Sequence, residues 1–190
     1  LCIEANPQYH AEYVNRKCLL LGNAISDHSG TIMKFAFRGA LGGLVDGKKF
    51  ENHDKSDNKF YDVVTVSLDD ALENLQVPKV IDYLSLDVEG AELLAMKDFK
   101  FTKYKINVMT IERPNKKLHH LVTQNGYKFL TELGHFGESL YVSTSHPQYA
   151  EILKKYSEKH YNFSLYYGRL PLQYGQKYWK EYQKVASSNG

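Results

Sequence analysis

Apolar positions along this chain cluster in short runs that are separated by polar stretches rich in Gly, Asn, Asp and Ser. Some runs, such as residues 106–111, are largely apolar throughout, which is typical of strands buried in a parallel sheet. Other segments, such as residues 115–124, repeat apolar residues at the spacing of an amphipathic helix. Strands and helices therefore alternate along most of the chain. We expect strands at 1–4, 18–25, 31–37, 60–68, 82–86, 106–112, 127–133 and 139–143, and helices at 8–16, 69–75, 91–96, 115–124 and 148–160.

The order of these elements predicts the fold class. The last two strands are linked only by residues 134–138, so they must form an antiparallel hairpin. Most earlier strands are separated by helices, an arrangement that gives parallel pairing in a doubly wound sheet. We therefore expect an α/β fold with a Rossmann-like sheet, mostly parallel and closed by a C-terminal antiparallel hairpin. The Gly-rich segment 38–58 interrupts this order and is predicted to be a loop or a flap over a pocket.

The chain has 190 residues, enough for one domain with a substantial core. We assign residues 1–145 to the α/β domain and residues 146–190 to a helical, Tyr-rich extension of the same domain. Aromatic and basic side chains are interleaved in this extension. Such a surface suits packing against the domain, a homodimer contact, or stacking on the ring of an acceptor molecule.

Composition and charge give no sign of a nucleic-acid or lipid partner. The net charge is only +2, so no nucleic-acid partner is expected. No apolar run approaches the roughly 20 residues that a membrane-spanning helix requires, so we expect no membrane span. Cys2 and Cys18 lie in apolar segments and are predicted to be small, unbonded core residues. We therefore expect a cytoplasmic protein.

Acidic residues gather where predicted buried strands end. Asp87, Glu89 and Glu92 follow one such strand around a glycine, and Glu112 ends the next strand of the sheet. Ligands bind at the carboxyl ends of strands in open α/β sheets, and crowded carboxylates raise one pKa, which suits a general base. These acids could instead hold a divalent cation, which we do not predict because no histidine lies within the motifs. Alternatively, Glu89 and Glu92 cap the following helix.

Another strand-terminal acid, Glu4, lies near the start of the chain and is followed by Pro7, which can open a helix. In nucleotide-binding α/β folds an acid at this position accepts hydrogen bonds from both ribose hydroxyls. The alternative is an exposed acid in a loop. The Gly-rich turn that normally comes before the ribose acid is absent, so we expect a first strand–helix unit before Leu1 and a gap in the sheet.

Five short motifs follow one another along the chain. They are Cys-Ile-Glu-Ala-Asn-Pro at 2–7, Asn-Ala-Ile-Ser-Asp-His-Ser-Gly at 23–30, Val-Ser-Leu-Asp-Asp-Ala-Leu at 66–72, Ile-Asp-Tyr-Leu-Ser-Leu-Asp-Val-Glu-Gly-Ala-Glu at 81–92, and Ile-Glu at 111–112. In this order and spacing, the motifs resemble the FkbM family of S-adenosylmethionine-dependent methyltransferases. The resemblance covers roughly residues 1–143 and implies a class I methyltransferase fold.

The resemblance also implies an activity, namely O-methylation of a hydroxyl group on a sugar, glycan or other small-molecule acceptor with S-adenosyl-L-methionine as the donor. By position, Glu4 would hold the donor ribose, and Asp87 would lie beside the methionine end and the acceptor hydroxyl. Residues 23–25 would approach the adenine. The residues assigned to donor binding are Glu4, Ala5, Asn6, Asn23, Ala24, Ile25 and Asp87, and those assigned to catalysis are Asp87, Glu89 and Glu112.

The alternative function is that of a non-catalytic protein with the same fold, acting as an interaction or trafficking module. Donor binding separates the two hypotheses, because only the enzyme needs S-adenosylmethionine.

Overall fold

The structure is a computed structural model that describes residues 1–37, 42–45, 59–133 and 137–158. Within these residues the protein is a mixed α/β structure with three sheets and several helices. The strands are β1 Cys2–Ile3, β2 Leu20–Leu21, β3 Ala24–Ser26, β4 Ile32–Phe37, β5 Gly43–Val45, β6 Lys59–Ser67, β7 Val80–Leu86, β8 Lys105–Glu112, β9 Tyr127–Leu133 and β10 Glu138–Ser143. The helices are the 3-10 helix Pro7–Tyr13 and the α-helices α1 Leu68–Asn74, α2 Glu92–Met96, α3 Lys116–Gln124 and α4 Tyr149–Glu158.

The C-terminal sheet has the strand order β7-β8-β10-β9. β7 and β8 are parallel, whereas β10 runs antiparallel to both β8 and β9. The predicted antiparallel hairpin is therefore confirmed. Side chains of β8 such as Met109 and Ile111 are fully buried, in one core cluster with Met96 of α2 and Leu118 of α3. This packing fixes where β7 and β8 end, and the predicted acids follow those ends.

The strand β7 was expected in the middle of a buried sheet, and the structure corrects this. β7 lies at the edge of its sheet, and Val80 and Tyr83 are each 55% exposed. Leu86, at the end of the strand, is buried. The strand that precedes Glu4 belongs to a different sheet.

The second four-stranded sheet has the order β3-β6-β4-β5, with β3 parallel to β6 and the other two pairings antiparallel. Among the described residues three strand pairings are parallel and four are antiparallel. The expectation of one mostly parallel, Rossmann-like sheet is thus not met. Two of the antiparallel pairings are those of β10 in the C-terminal sheet. The other two involve β4, which folds back on β6 and pairs with β5 instead of crossing over through a helix.

The single strand predicted at 18–25 is two short strands. β2 pairs with β1, whereas β3 pairs with β6, so the chain changes sheets at Gly22 and Asn23. The ring of His10 lies where a side chain on Gly22 would be, because a Cβ atom built there would come within 2.9 Å of the His10 Cε1 atom. The Asn23 side chain donates to the Val64 carbonyl at 3.1 Å. These contacts interrupt an apolar run that the sequence pattern alone shows as continuous.

The first predicted helix is also different. Residues 7–13 form a 3-10 helix that has no buried residue. It begins as predicted at a proline, and the Asn6 side chain caps it by accepting from the Gln8 backbone N–H. With no apolar stripe facing the core, little tertiary packing supports a longer α-helix here.

The prediction for the two cysteines is wrong. Cys2 and Cys18 form a disulfide, with their Cα atoms 6.0 Å apart. The parallel pairing places Cys2 opposite Leu20, and this brings the two cysteines together. Disulfides persist in oxidising compartments and are rare in the cytosol, so the bond does not favour the expected cytoplasmic location. Within the described residues, no helix is long and apolar enough to cross a membrane.

Two of the motifs that carry the resemblance are joined by structural hydrogen bonds. The Ser29 hydroxyl donates to the Asp70 carboxylate and accepts from the Ser67 backbone N–H, so that the turn after β3 is fastened to the start of α1. Asp69 accepts from the Lys100 backbone N–H at 3.0 Å. Asp69 and Asp70, the two acids of the motif at 66–72, therefore form hydrogen bonds that join separate elements of the fold.

Candidate functional site

A cleft of about 290 Å³ is formed where the residues after β1 and after β7 meet β3 and the 3-10 helix. Its walls come from segments that are far apart in the sequence. All seven residues assigned to the donor line this one cleft, including Asp87, which is also assigned to catalysis. Glu89, a second residue assigned to catalysis, lines it as well. These lining residues are Glu4, Ala5, Asn6, Asn23, Ala24, Ile25, Asp87 and Glu89.

The residues after β1 form a sharp turn at one wall of the cleft. The Glu4 carboxylate accepts from the Asn6 backbone N–H at 2.7 Å, and the Glu4 carbonyl is 2.8 Å from the His10 Nε2 atom. Asn6 is only 2% exposed, and its side-chain Nδ2 atom has no hydrogen-bond partner within the described residues. A buried N–H donor without a partner costs free energy, and a ligand acceptor could satisfy it.

Three carboxylates lie at the other end of the cleft. One oxygen atom from each of Asp87, Glu89 and Glu112 lies within 4.8 Å of the others. The predicted catalytic residues are therefore brought together, although Glu112 is buried behind the cleft and does not line it. Oxygen atoms at these separations could also hold a hard divalent cation.

The electrostatics of this cluster favour a shared proton. Burial raises the pKa of Glu112 to about 8, and the charge of Asp87 and a hydrogen bond with Asp87 act in the same direction. The Arg113 guanidinium opposes the shift, because its Nη2 atom lies 2.7 Å from the Glu112 Oε1 atom. At neutral pH Glu112 is thus the protonated member of the pair.

The backbone turns sharply directly after both strand ends. Glu89 has φ of +52° and Arg113 has φ of +39°, which non-glycine residues rarely adopt. Such conformations cost on the order of 1–3 kcal/mol and occur preferentially at functional sites. Here they bend the chain away from β7 and β8 immediately after the acids.

Glu92 takes a structural role. Its Oε1 atom accepts from the backbone N–H groups of Val88 and Gly90, each at 3.1 Å, and the side chain is buried. Burial raises its pKa, although these backbone bonds oppose the shift. Glu92 therefore holds the turn that precedes α2. It does not cap the helix, since α2 begins after Ala91 without a side-chain cap. Glu89, by contrast, lines the cleft.

Several lining residues were missed by sequence reasoning. Phe35 and Leu44, on β4 and β5, cover one side of the cleft, and a Cβ atom on Gly43 would lie 3.1 Å from the Glu89 carbonyl oxygen. The consecutive glycines at 42–43 are the signal that could have revealed this close approach. Most of the predicted flap 38–58 lies outside the described residues. The other lining residues that were missed are Ile3, Tyr9, Glu12, Tyr13, Gly42, Val88 and Ala91.

The paired histidines of α3 do not line the cleft. His119 is half-buried, and its Nδ1 atom lies 2.9 Å from the Tyr141 hydroxyl oxygen. Burial lowers the pKa of His119, and the neighbouring His120 acts in the same direction. His119 is therefore part of the packing between α3 and β10, whereas His120 is exposed.

The match to a known family agrees with this arrangement. The family model described as the methyltransferase FkbM domain matches residues 1–161. The chain belongs to the FkbM methyltransferase family. No curated protein and no solved structure was found to match it. The FkbM domain thus contains the whole cleft, the acid cluster and the Cys2–Cys18 disulfide.

Proposed function

We propose that this FkbM domain is an S-adenosyl-L-methionine-dependent O-methyltransferase that acts on a hydroxyl group of a sugar, glycan or other small-molecule acceptor. One observation carries the proposal. Residues that were assigned to the donor from three separate motifs line one cleft, and a carboxylate cluster lies at the end of that cleft. In this proposal the described strands correspond to parts of a class I methyltransferase sheet.

The donor-binding wall fits a nucleoside. Glu4 offers a carboxylate at the end of a strand, where ribose hydroxyls are bound in nucleotide-binding α/β folds. The buried Asn6 Nδ2 atom is a donor without a protein partner and would be satisfied by a polar ligand atom. Ala24 and Ile25 are buried apolar residues of β3 that can cover an adenine ring. When bound, S-adenosylmethionine supplies a methyl group on a sulfonium centre, which leaves as a neutral thioether.

Asp87 is the proposed general base. It is exposed to the cleft, whereas Glu112 is buried and keeps its proton at neutral pH. In this proposal the protonated Glu112 carboxyl group, which has an oxygen atom within 4.8 Å of an Asp87 oxygen, orients the Asp87 carboxylate. Asp87 takes the proton of the acceptor hydroxyl on a carboxylate oxygen while the hydroxyl oxygen forms its bond to the methyl carbon. Glu89, on the same turn, orients the acceptor by accepting from a second hydroxyl group.

Calorimetric titration of S-adenosylmethionine tests the donor site. It is carried out with the 190-residue chain. The Glu4→Gln variant can still accept the Asn6 N–H bond but lacks the negative charge. We expect saturable binding to the unchanged protein. The affinity of the variant should be at least tenfold lower, a difference of about 1.4 kcal/mol in binding free energy.

Glu151→Gln on α4 is the matched control, because this exposed acid is far from the cleft in sequence and does not line it. Its affinity for the donor should equal that of the unchanged protein. Unchanged affinity in Glu4→Gln would refute the assignment of the ribose site. Absence of binding to the unchanged protein would refute the enzyme proposal and favour the interaction module.

A further inference from the structure

One short segment supplies much of the cleft. Seven lining residues lie between residues 3 and 13. The Cys2–Cys18 disulfide closes a loop, with a sequence separation of 16, that contains this whole segment. The cross-link therefore encloses one wall of the cleft, although neither sulfur atom belongs to a lining residue.

The other restraints hold residues 7–13 only weakly. β1 and β2 pair over only two residues each, and the 3-10 helix between them has no buried residue. Ile3 and Ala5, at the start of the segment, pack against the core clusters, and Asn6 is buried. The Asn6 cap and the contact between His10 and the Glu4 carbonyl join residues within the segment. The disulfide is thus a covalent link that ties the start of this segment to the chain just before β2.

We infer that the Cys2–Cys18 disulfide holds the 3–13 segment in its ligand-binding conformation, so that the ligand affinity of the cleft depends on the oxidation state of this pair. The inference rests on the proposed donor site and adds a condition to it. The cleft is fully formed in an oxidising compartment, and a dithiol reductant lowers its affinity for the ligand.

The redox step is balanced by the reductant. The disulfide takes up two electrons and two protons and becomes two thiols, while the dithiol is oxidised to its own disulfide. Without the cross-link the segment gains conformational freedom, which ligand binding must then remove. We expect S-adenosylmethionine to bind the reduced protein at least tenfold more weakly, a difference of about 1.4 kcal/mol.

The test compares the oxidised protein, the protein reduced with dithiothreitol, and the double variant Cys2→Ser/Cys18→Ser. Each is titrated with S-adenosylmethionine, and amide hydrogen exchange is followed without ligand. The chain has only two cysteines, so dithiothreitol should change nothing in the double variant, which serves as the control for the reductant. Exchange at the β8 amides reports on the core.

The inference predicts weaker binding and faster exchange at residues 3–13 in the reduced protein and in the double variant, with unchanged exchange in β8. Equal exchange at residues 3–13 in all forms would overturn it, as would equal affinity. Faster exchange in β8 as well would show a global folding role and would also overturn it. If no form binds the donor, the proposed function fails, and the exchange comparison alone then decides whether the disulfide restrains the segment.

Discussion

One carboxylate oxygen of Asp87 and one of Glu112 lie within 4.8 Å of each other at the ends of two neighbouring parallel strands. Asp87 is exposed to the cleft, whereas Glu112 is buried and also contacts Arg113. The two strands end in register, so the pair is produced by the strand pairing itself. One member of such a pair holds a proton at neutral pH, and this has consequences for stability and for catalysis.

The first prediction concerns stability. Burial beside Asp87 raises the pKa of Glu112 from 4.5 to about 8 in the folded state. Its protonation therefore stabilises the fold fully below pH 4.5, and this contribution is lost as the pH rises to about 8. Glutamine cannot ionise, so the stability of Glu112→Gln should not decrease in this way as the pH rises. Urea unfolding at pH 5, 6.5 and 8 should show the unchanged protein losing on the order of 3 kcal/mol relative to Glu112→Gln.

The exposed Glu151→Gln variant is the control for the urea series, and its stability should follow that of the unchanged protein at each pH. A constant difference between Glu112→Gln and the unchanged protein across the three pH values would contradict the shared proton.

The second prediction separates catalysis from donor binding. Asp87→Asn removes the proposed base but keeps the size of the side chain, so the rate of methyl transfer should fall by about 10²–10⁴-fold. The transfer of a labelled methyl group from S-adenosylmethionine to a panel of methyl glycosides and oligosaccharides measures this rate. Calorimetry on the same variant should show a much smaller loss of donor affinity than of rate, since Asp87 is only one of seven residues assigned to the donor.

Asp82→Asn is the matched control for Asp87→Asn. Asp82 is an exposed acid on the same strand, outside the cleft, so its loss should leave the transfer rate unchanged. Full activity of Asp87→Asn would show that Asp87 does not accept the proton.

Much of the local structure could be predicted, because the hydrophobic period along the chain is clear. β8 and α3 lie within one or two residues of the predicted bounds. Asn115, predicted as the first residue of α3, is its N-cap. Ser67 likewise caps α1 through the Asp70 backbone N–H. These features depend on neighbouring residues alone, so the sequence pattern contains the necessary information.

The pairing of the strands could not be predicted in the same way. The break between β2 and β3 depends on the packing of His10 against Gly22, and the disulfide depends on the pairing of β1 with β2. Phe35 and Leu44 reach the cleft only because β4 and β5 fold back antiparallel. Such contacts join residues that are distant in the sequence and follow from tertiary structure. The strand-terminal acids were predictable because parallel strands end at one edge of a sheet.

The third prediction concerns the buried Asn6 side chain. Its Oδ1 atom caps the 3-10 helix, whereas its Nδ2 atom has no partner within the described residues. Asn6→Asp keeps an oxygen for the cap but replaces the N–H donor with a carboxylate oxygen in a buried position, so thermal stability should also fall. Donor affinity should fall at least tenfold in a calorimetric titration, because the ligand acceptor then faces a carboxylate.

Asn6→Ala provides the comparison, since it removes both the cap and the donor. It should lose donor affinity and, in addition, about 1 kcal/mol of stability through the missing cap. If Asn6→Asp binds the donor as tightly as the unchanged protein, the Nδ2 atom does not contact the ligand.

The last prediction tests the contact between β5 and the acidic turn. A Cβ atom on Gly43 would lie 3.1 Å from the Glu89 carbonyl oxygen and 3.3 Å from its Cβ atom, so Gly43→Ala must push β5 and the turn apart by a few tenths of an ångström. Misplacement on this scale at a reacting group lowers a rate more than it lowers affinity for a ligand bound elsewhere in the cleft. We expect a transfer rate several-fold lower and a donor affinity within twofold of the original, measured by methyl transfer and calorimetry. An equal loss of rate and of donor affinity would show instead that β5 supports the whole cleft, and that Gly43 has no particular relation to the acid cluster.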